Sequence, residues 1–378
     1  MNAPYLRYSL CNSAMIAALV GILCGNAVTW IVAIVIVLIG GPADEALGDE
    51  EESKLSDAQR WFFNASLYAT LPLLVLITLA MLHQVAVTFQ AGLAAGLPRL
   101  LPDMSARWNL GGAADVSGAV FLAGYCYAVF GATVGHELTH KTSVMPAFLS
   151  ARGLFAFTFN TSFTTFHVHG HHRQVATYRD PATARRGEYI LAFVVRTIIG
   201  QFMDALVFET ARARRLGYAP YGLRNRVVSG QLYSVAVLMV AAVLAGLPGV
   251  IAVVAAGAIG RLLHELLNYV QHFGLVRADD QPVEPRHTWD SKRVISNVLH
   301  YNLPMHADHH MFASKSFWQL KISPKAPLLP FGYQTMVFVA LVPQWWRRTM
   351  GPLLSEWDRL ASDEERALIR QRGWEGVV

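Results

Sequence analysis

Charge is scarce in this sequence. Of 378 residues only 15% are Asp, Glu, Lys or Arg, while 53% are hydrophobic, and the mean hydropathy is +0.34. Soluble domains carry nearer a quarter charged residues, so the composition argues against a soluble multidomain protein. Cysteine is scarcer still. Cys11, Cys24 and Cys126 form no CxxC pair, which argues against a disulfide framework, a zinc ribbon or a fused cysteine-caged iron module. Internal repeats and low-complexity segments are missing. The opening Met1-Asn-Ala-Pro-Tyr-Leu-Arg-Tyr8 lacks a signal-peptide cleavage pattern before the first apolar run. Net charge is +5, with basic clusters such as Arg212-Ala-Arg-Arg215 and Arg347-Arg348 beside apolar segments. That placement marks a cytoplasmic membrane face rather than a nucleic-acid surface, so no nucleic-acid partner is expected.

Long apolar runs are abundant. About 20 apolar residues in a helix cross a hydrocarbon core. The run over 10–41 is long for one span and short for two. Gly25-Asn26 at its middle is a turn signal and predicts a hairpin, with one long tilted helix as the alternative. Spans three and four are expected over 63–82 and 113–134, with Pro98 and Pro102 in the loop between them. The stretch 146–162 is short for a span and reads as re-entrant or buried. Residues 189–210 hold Arg196 and Asp204 in apolar surroundings and read as an interfacial helix. Spans five and six fall at 232–247 and 249–270, split by Pro248; 324–343 reads as a surface lid and 355–378 as a charged soluble tail.

The expected fold is an all-α integral membrane protein with about six transmembrane helices and a cytoplasmic histidine-rich di-metal domain. It is read as one domain over 1–378, with transmembrane hairpins at 6–41, 63–134 and 232–270 and metal-site segments at 135–188 and 271–323. With the first run as a hairpin, spans four and six exit on the N-terminal side. The basic loops at 173–186 and 212–226 belong to that side, which makes it cytoplasmic.

Histidine is clustered where these spans end. The groups read His136-Glu-Leu-Thr-His140, His167-Val-His-Gly-His171-His172 and His306-Ala-Asp-His309-His310, with His272 ending the sixth span. On a helix, i and i+4 share a face, so His136 pairs with His140, His167 with His171, and His306 with His309 and His310. His172 lies about 100° beyond His171. These nine imidazoles exceed the needs of one metal and suit two. Imidazole binds zinc, copper, iron and nickel alike, so ligand type does not choose the metal. His83, His264, His287, His300 and His169 read as structural. The string His136-Glu-Leu-Thr-His140 also matches the His-Glu-x-x-His of zinc proteases. Such a site needs three protein ligands and a water, which leaves most of the other histidines without a role.

Taken together, these motifs resemble the membrane-bound alkane hydroxylases and xylene monooxygenases of the integral-membrane fatty acid desaturase/hydroxylase superfamily. His136-Glu-Leu-Thr-His140-Lys141 is similar to the first histidine box. His167-Val-His-Gly-His171-His172 is similar to the second, and His306-Ala-Asp-His309-His310 to the third. Asn268-Tyr-Val-Gln-His272-Phe-Gly-Leu275 resembles the motif that sets this branch apart from ordinary acyl desaturases. Val175-Ala-Thr, Asp180-Pro-Ala-Thr-Ala-Arg185, Trp289-Asp-Ser and Ser296-Asn297 also fit. The chain departs from the alkane hydroxylases at Phe166, Gln271 and Leu303-Pro-Met305, and its Gln-His-Phe-Gly variant is closer to the aryl-methyl hydroxylases.

The resemblance implies a non-haem centre of two iron ions held by His136, His140, His167, His171, His172, His272, His306, His309 and His310. It implies O₂-dependent hydroxylation of a terminal or benzylic methyl of a hydrophobic substrate drawn from the bilayer. Desaturation or decarboxylation of an acyl chain is the alternative outcome of the same centre. Electrons would come from a rubredoxin or ferredoxin-type carrier and its reductase, docking on a basic face with Lys141, Arg173 and Arg185. Glu137, Asp308 and Glu265 are candidates to support the ligands. No substrate-binding residue is assigned. The implied location is a bacterial-type inner membrane with the active site facing the cytoplasm.

Overall fold

The computed structural model describes residues 4–50, 55–97 and 112–378. Pro98 and Pro102 lie outside them. The described residues form helices and turns and no strand. The helices used below are α1 Ser9–Cys24, α2 Asn26–Leu38, α3 Arg60–Phe89, α4 Gly112–Thr139, α5 Met145–Ala156, α6 Ile190–Arg215, α7 Arg226–His272, α8 Val294–Leu299, α9 His306–Met311, α10 Tyr333–Ala340, α11 Pro343–Leu360 and α12 Asp363–Gln371. The chain divides into two compact units, one of residues 1–39, 55–161 and 221–263, the other of 40–54, 162–220 and 264–378.

In the first unit the opening apolar run is a hairpin. Gly25 (φ 69°) and Asn26 (φ 53°) both take the left-handed region, where glycine carries no Cβ penalty and Asn is tolerated better than most. The limbs pack closely: a Cβ at Gly21 would lie 3.0 Å from Val32, and the Thr29 hydroxyl donates to the Gly21 carbonyl at 2.9 Å. Polar groups on the following helices also bond to one another. Ser66 donates to Asn12 at 3.1 Å, Trp30 to the Ala114 carbonyl at 3.0 Å, and Thr78 and Tyr127 share a bond of 2.7 Å. Gly124 lets α4 approach the Ala256 carbonyl of α7, where a Cβ would meet it at 2.6 Å. Small residues at helix crossings are how apolar helices associate in lipid.

Among the described residues six helical stretches are long and apolar enough to cross a membrane, by length and composition: Pro4–Cys24, Asn26–Leu47, Asp57–Phe89, Gly112–Thr139, Ile190–Arg215 and Arg226–His272. This six differs in make-up from the six expected. α7 joins expected spans five and six in 47 residues, broken at Ala245 (φ −137°) and Gly246 (φ 58°). Unbroken, it would reach about 70 Å, twice a hydrocarbon core. Pro248 falls in the first turn after the break, where its missing N–H costs nothing. The other change is α6. Residues 189–210 were expected to lie at an interface because of Arg196 and Asp204. Arg196 instead folds onto Glu188 at 2.6 Å, while Leu191, Val195, Ile199, Met203 and Val207 line one exposed apolar face.

Apart from α6 and α11, the second unit is built from short pieces fixed by polar side chains. Asp44 accepts from the backbone N–H groups of Ile295 (2.6 Å) and Ser296 (3.1 Å) at the start of α8 and from the Ser296 hydroxyl (2.6 Å). Asn297 donates to the carbonyls of Ser291 and Arg293. The tail is packed, not merely soluble: Trp357 and Ile369 are buried, and Arg186 makes a bidentate pair with Asp358.

Candidate metal centre

The second unit brings seven of the nine expected histidines into two sets. His171, His272, His306 and His310 form the first. Each offers one ligand nitrogen, these lie within 4.8 Å of one another, and all four residues are buried. The Nε2 atoms of His272 and His306 are 3.2 Å apart, as are those of His306 and His310. His167, His172 and His309 form the second set, with Nε2 separations of 3.0 Å (His167–His172) and 3.2 Å (His172–His309). Metal–imidazole bonds of about 2.0–2.1 Å place neighbouring ligand nitrogens roughly 2.9–3.4 Å apart in octahedral or tetrahedral geometry. The four Nε2 pairs above have that spacing, so the donors fit a metal ion in each set.

The second histidine group departs from α-helical geometry. His167–His171 is a wide turn, and the His172 N–H donates to the His167 carbonyl five residues back. In an α-helix residues i and i+5 stand about 140° apart; the i→i+5 turn brings them alongside. The spacing rule paired His167 with His171. The wide turn sends His171 to the first set and puts His167 beside His172 in the second.

Carboxylates fix these histidines. His171 Nδ1 meets Asp180 Oδ2 at 2.8 Å, which turns Nε2 towards the set. Asp180 is itself held by the Thr183 hydroxyl (2.6 Å) and the Ala182 N–H (3.0 Å). Asp290 accepts from the Ala307 N–H at 2.7 Å and so caps the helix that carries His306, His309 and His310. Burial pushes the Asp290 carboxyl up to about 8. Sequence reasoning noted both motifs as family-like and gave neither acid a role, because nothing in the local pattern shows where it folds back.

The three acids that were singled out sit as follows. Glu265 is fully buried and accepts from Gln201 (2.8 Å) and Asn268 (3.0 Å). Asp308 takes Lys315 at 2.8 Å and the Lys321 N–H at 3.1 Å. Glu137, in the first unit, pairs with Lys141 at 3.2 Å. His136 in the last turn of α4 and His140 just after it have ring centroids 5.3 Å apart. Gln271 donates to the hydroxyl of buried Tyr333 at 3.1 Å, a partner the sequence did not suggest. Trp289 clamps the chain around His272, its backbone N–H on the Gln271 carbonyl (3.0 Å) and its indole on that of Phe273 (2.9 Å).

The histidines outside these sets have other surroundings. His169 stacks on Phe208 at 4.3 Å, His264 meets the Phe163 ring edge-on at 4.9 Å, and His287 bonds Glu365 at 2.9 Å. Burial brings His300 down to about 4, so it stays neutral.

With this geometry in hand, sequence comparison places the chain. The profile described as fatty acid desaturase matches residues 113–339, more than half of its length. The chain belongs to the fatty acid desaturase family. Within that family it is 34% identical over 228 residues to alkane 1-monooxygenase of Ectopseudomonas oleovorans, covering 59% of this chain and 57% of that protein. It is 36% identical over 230 residues to alkane 1-monooxygenase 1 of Alcanivorax borkumensis, covering 59% and 56%. It is 29% identical over 275 residues to the xylene/toluene monooxygenase hydroxylase component XylM of Pseudomonas putida, covering 69% and 72%. The chain thus spans little more than half the length of the alkane monooxygenases it matches.

Proposed function

We propose that this desaturase-family chain is a membrane non-haem di-iron monooxygenase. It would hydroxylate a terminal or benzylic methyl of an alkane or alkyl-aromatic substrate with O₂ and electrons from a separate carrier. The observation that carries this reading is the pair of histidine sets, each with ligand nitrogens at coordination-shell spacing. His171, His272, His306 and His310 would hold one iron; His167, His172 and His309 would contribute to the other. His136 and His140 join the ligand set on their i, i+4 spacing and on the likeness of their box. An all-histidine donor set leaves no thiolate, which disfavours a cysteine-type cluster.

Bound iron would supply O₂ activation for insertion into an unactivated C–H bond. The chain's own residues supply the rest. Asp180 holds the His171 tautomer, Asp290 fixes the helix of the third box, and Gln201 and Asn268 hold Glu265 in place. The apolar packing around the spans keeps water from the reacting carbon.

Relatives named for alkane and xylene oxidation support the substrate class. We infer a multi-pass inner-membrane protein with its histidine face in the cytoplasm, on the strength of the basic loops. Arg173, exposed one residue after His172, is the cation we assign to docking of a rubredoxin or ferredoxin-type carrier. The test is incubation of purified protein with an alkane, an alkyl-benzene and a fatty acid, with carrier and reductase supplied. An alcohol and about two irons per chain are expected. An alkene would favour the desaturase outcome, and one zinc with no iron would sink the reading.

A further inference from the structure

Away from the histidines, the second unit contains a cavity of about 300 Å³ whose wall includes Tyr178, Arg185, Arg277, Arg372 and Trp374. Its charge is lopsided. The Arg185 and Arg372 guanidiniums lie 3.8 and 3.9 Å from the centre of the one Tyr178 ring. Neither has a salt-bridge carboxylate among the described residues. Glu188, the acid near Arg185, is already gripped by Arg196 at 2.6 and 2.7 Å. Arg185 Nε is buried without an acceptor. Buried Arg277 spends its donors on the neutral carbonyls of Val175 (2.9 Å), Arg173 (2.7 Å) and Gln281, and its charge is offset from a distance by Asp180 and Asp279. The acids on the wall are Asp279 and Asp280, both exposed, and Asp279 is taken by Arg179 at 2.8 Å.

Like charges are seldom gathered around one cavity without an opposite charge to join them; here Arg185 is partly buried and Arg372 is exposed. Burial and the charge of Arg196 hold Arg185 below the usual guanidinium value, a penalty an anion would relieve. Guanidinium forks match tetrahedral oxyanions well. We propose that this cavity is a binding site for a phosphoryl group, gripped by Arg185 and Arg372 against the Tyr178–Trp374 wall. Its three walls come from the segment after the second histidine box, the segment after His272, and the end of the tail. A bound phosphoryl group would therefore fasten α12 to the backbone that follows two ligand-bearing segments. The phosphoryl group belongs either to a free phosphate or to a lipid headgroup.

The test uses the full-length chain in zwitterionic detergent, titrated with inorganic phosphate and followed by calorimetry. Saturable binding, tighter than that of chloride, is expected. R372Q and R185Q should each weaken it about tenfold or more, while R347Q, at an exposed arginine elsewhere, leaves it unchanged. Hydrogen exchange over 363–374 should slow when phosphate is added to the native chain and not when it is added to R372Q. A second arm replaces phosphate by phosphatidylcholine vesicles with and without phosphatidic acid. Arg372-dependent binding to phosphatidic acid alone assigns a headgroup; binding of inorganic phosphate assigns the free anion. No saturable binding in either arm, or binding indifferent to both R185Q and R372Q, overturns the proposal. Metal content and hydroxylation play no part in these readouts, so the outcome is independent of the di-iron reading.

Discussion

Gly25 and Asp180 hold their surroundings by opposite means. Gly25 works by having no side chain: at φ 69° it reverses the chain between two apolar helices that then pack on Gly21 and Val32. Asp180 works entirely through its side chain, which gathers His171, Thr183 and a backbone N–H within 3.0 Å. The same division runs through the two units. The first relies on long helices and small residues at their crossings. Besides α6 and α11, the second relies on short helices whose ends and histidines are tied by Asp44, Asp180, Asp290 and Asn297. A substitution in the first should therefore cost stability, and one in the second should cost the metal before the fold.

The largest effect is expected from His306→Ala or His310→Ala, which remove a donor from the first set. Bound iron should fall and turnover should drop to background; metal analysis with product assay checks both, and unchanged turnover would remove that residue from the ligands. Asp180→Asn comes next. It keeps the shape but loses the charge on His171 Nδ1, and should cost about 10–100-fold in metal affinity or activity with the helical circular dichroism intact. On the other side of the comparison, Gly25→Ala should destabilise by about 1–3 kcal/mol through backbone strain and leave iron content unchanged; thermal unfolding and metal analysis together decide.

The tail gives a smaller and pH-dependent case. His287 Nδ1 accepts from the Glu284 N–H (2.9 Å) and its Nε2 donates to Glu365 (2.9 Å). Burial holds His287 below its ordinary value of 6.5, and His287 with Arg286 holds Glu365 below its ordinary value. In the window below 6.5 the unfolded histidine takes up a proton that the folded one refuses, so stability falls as pH falls. Protonation of Glu365 extends the loss further into acid. Hydrogen exchange over 363–371 should thus speed up on going from pH 7 to pH 5 after correction for the intrinsic rate. Glu365→Gln takes away the group that favours a charged His287, so it should steepen that dependence, at a cost of about 1–3 kcal/mol. Smallest is Ser362→Ala, which deletes the cap on the Glu365 N–H (3.2 Å) and should cost about 1 kcal/mol, read as faster exchange in α12.

Much of this was legible in the sequence, for physical reasons. Apolar runs declare helices of membrane-crossing length, and Gly25-Asn26 declares the hairpin because few other dipeptides reverse a chain so tightly. The histidine groups stand out because helical spacing makes them converge. What was not legible depends on contacts far apart in the chain. The partner of Arg196, Glu188, precedes the helix and meets it only once the chain folds. Asp180 and Asp290 were visible as residues but not as partners of His171 and α9. Tyr333 lies 62 positions from Gln271. The wide turn at 167–171 has no signature in residue type, so counting by 3.6 paired the wrong histidines there.

That wide turn gives the protein a vernier. One extra residue wound into a single turn sets two adjacent imidazoles, His171 and His172, to two different sets, and the distance between the sets is graduated by main-chain hydrogen bonding rather than by side-chain length. Rewinding the turn to ordinary pitch would delete no ligand. It would swing His172 by about 90° away from His167, and the imidazole spacing that pairs the two would be lost.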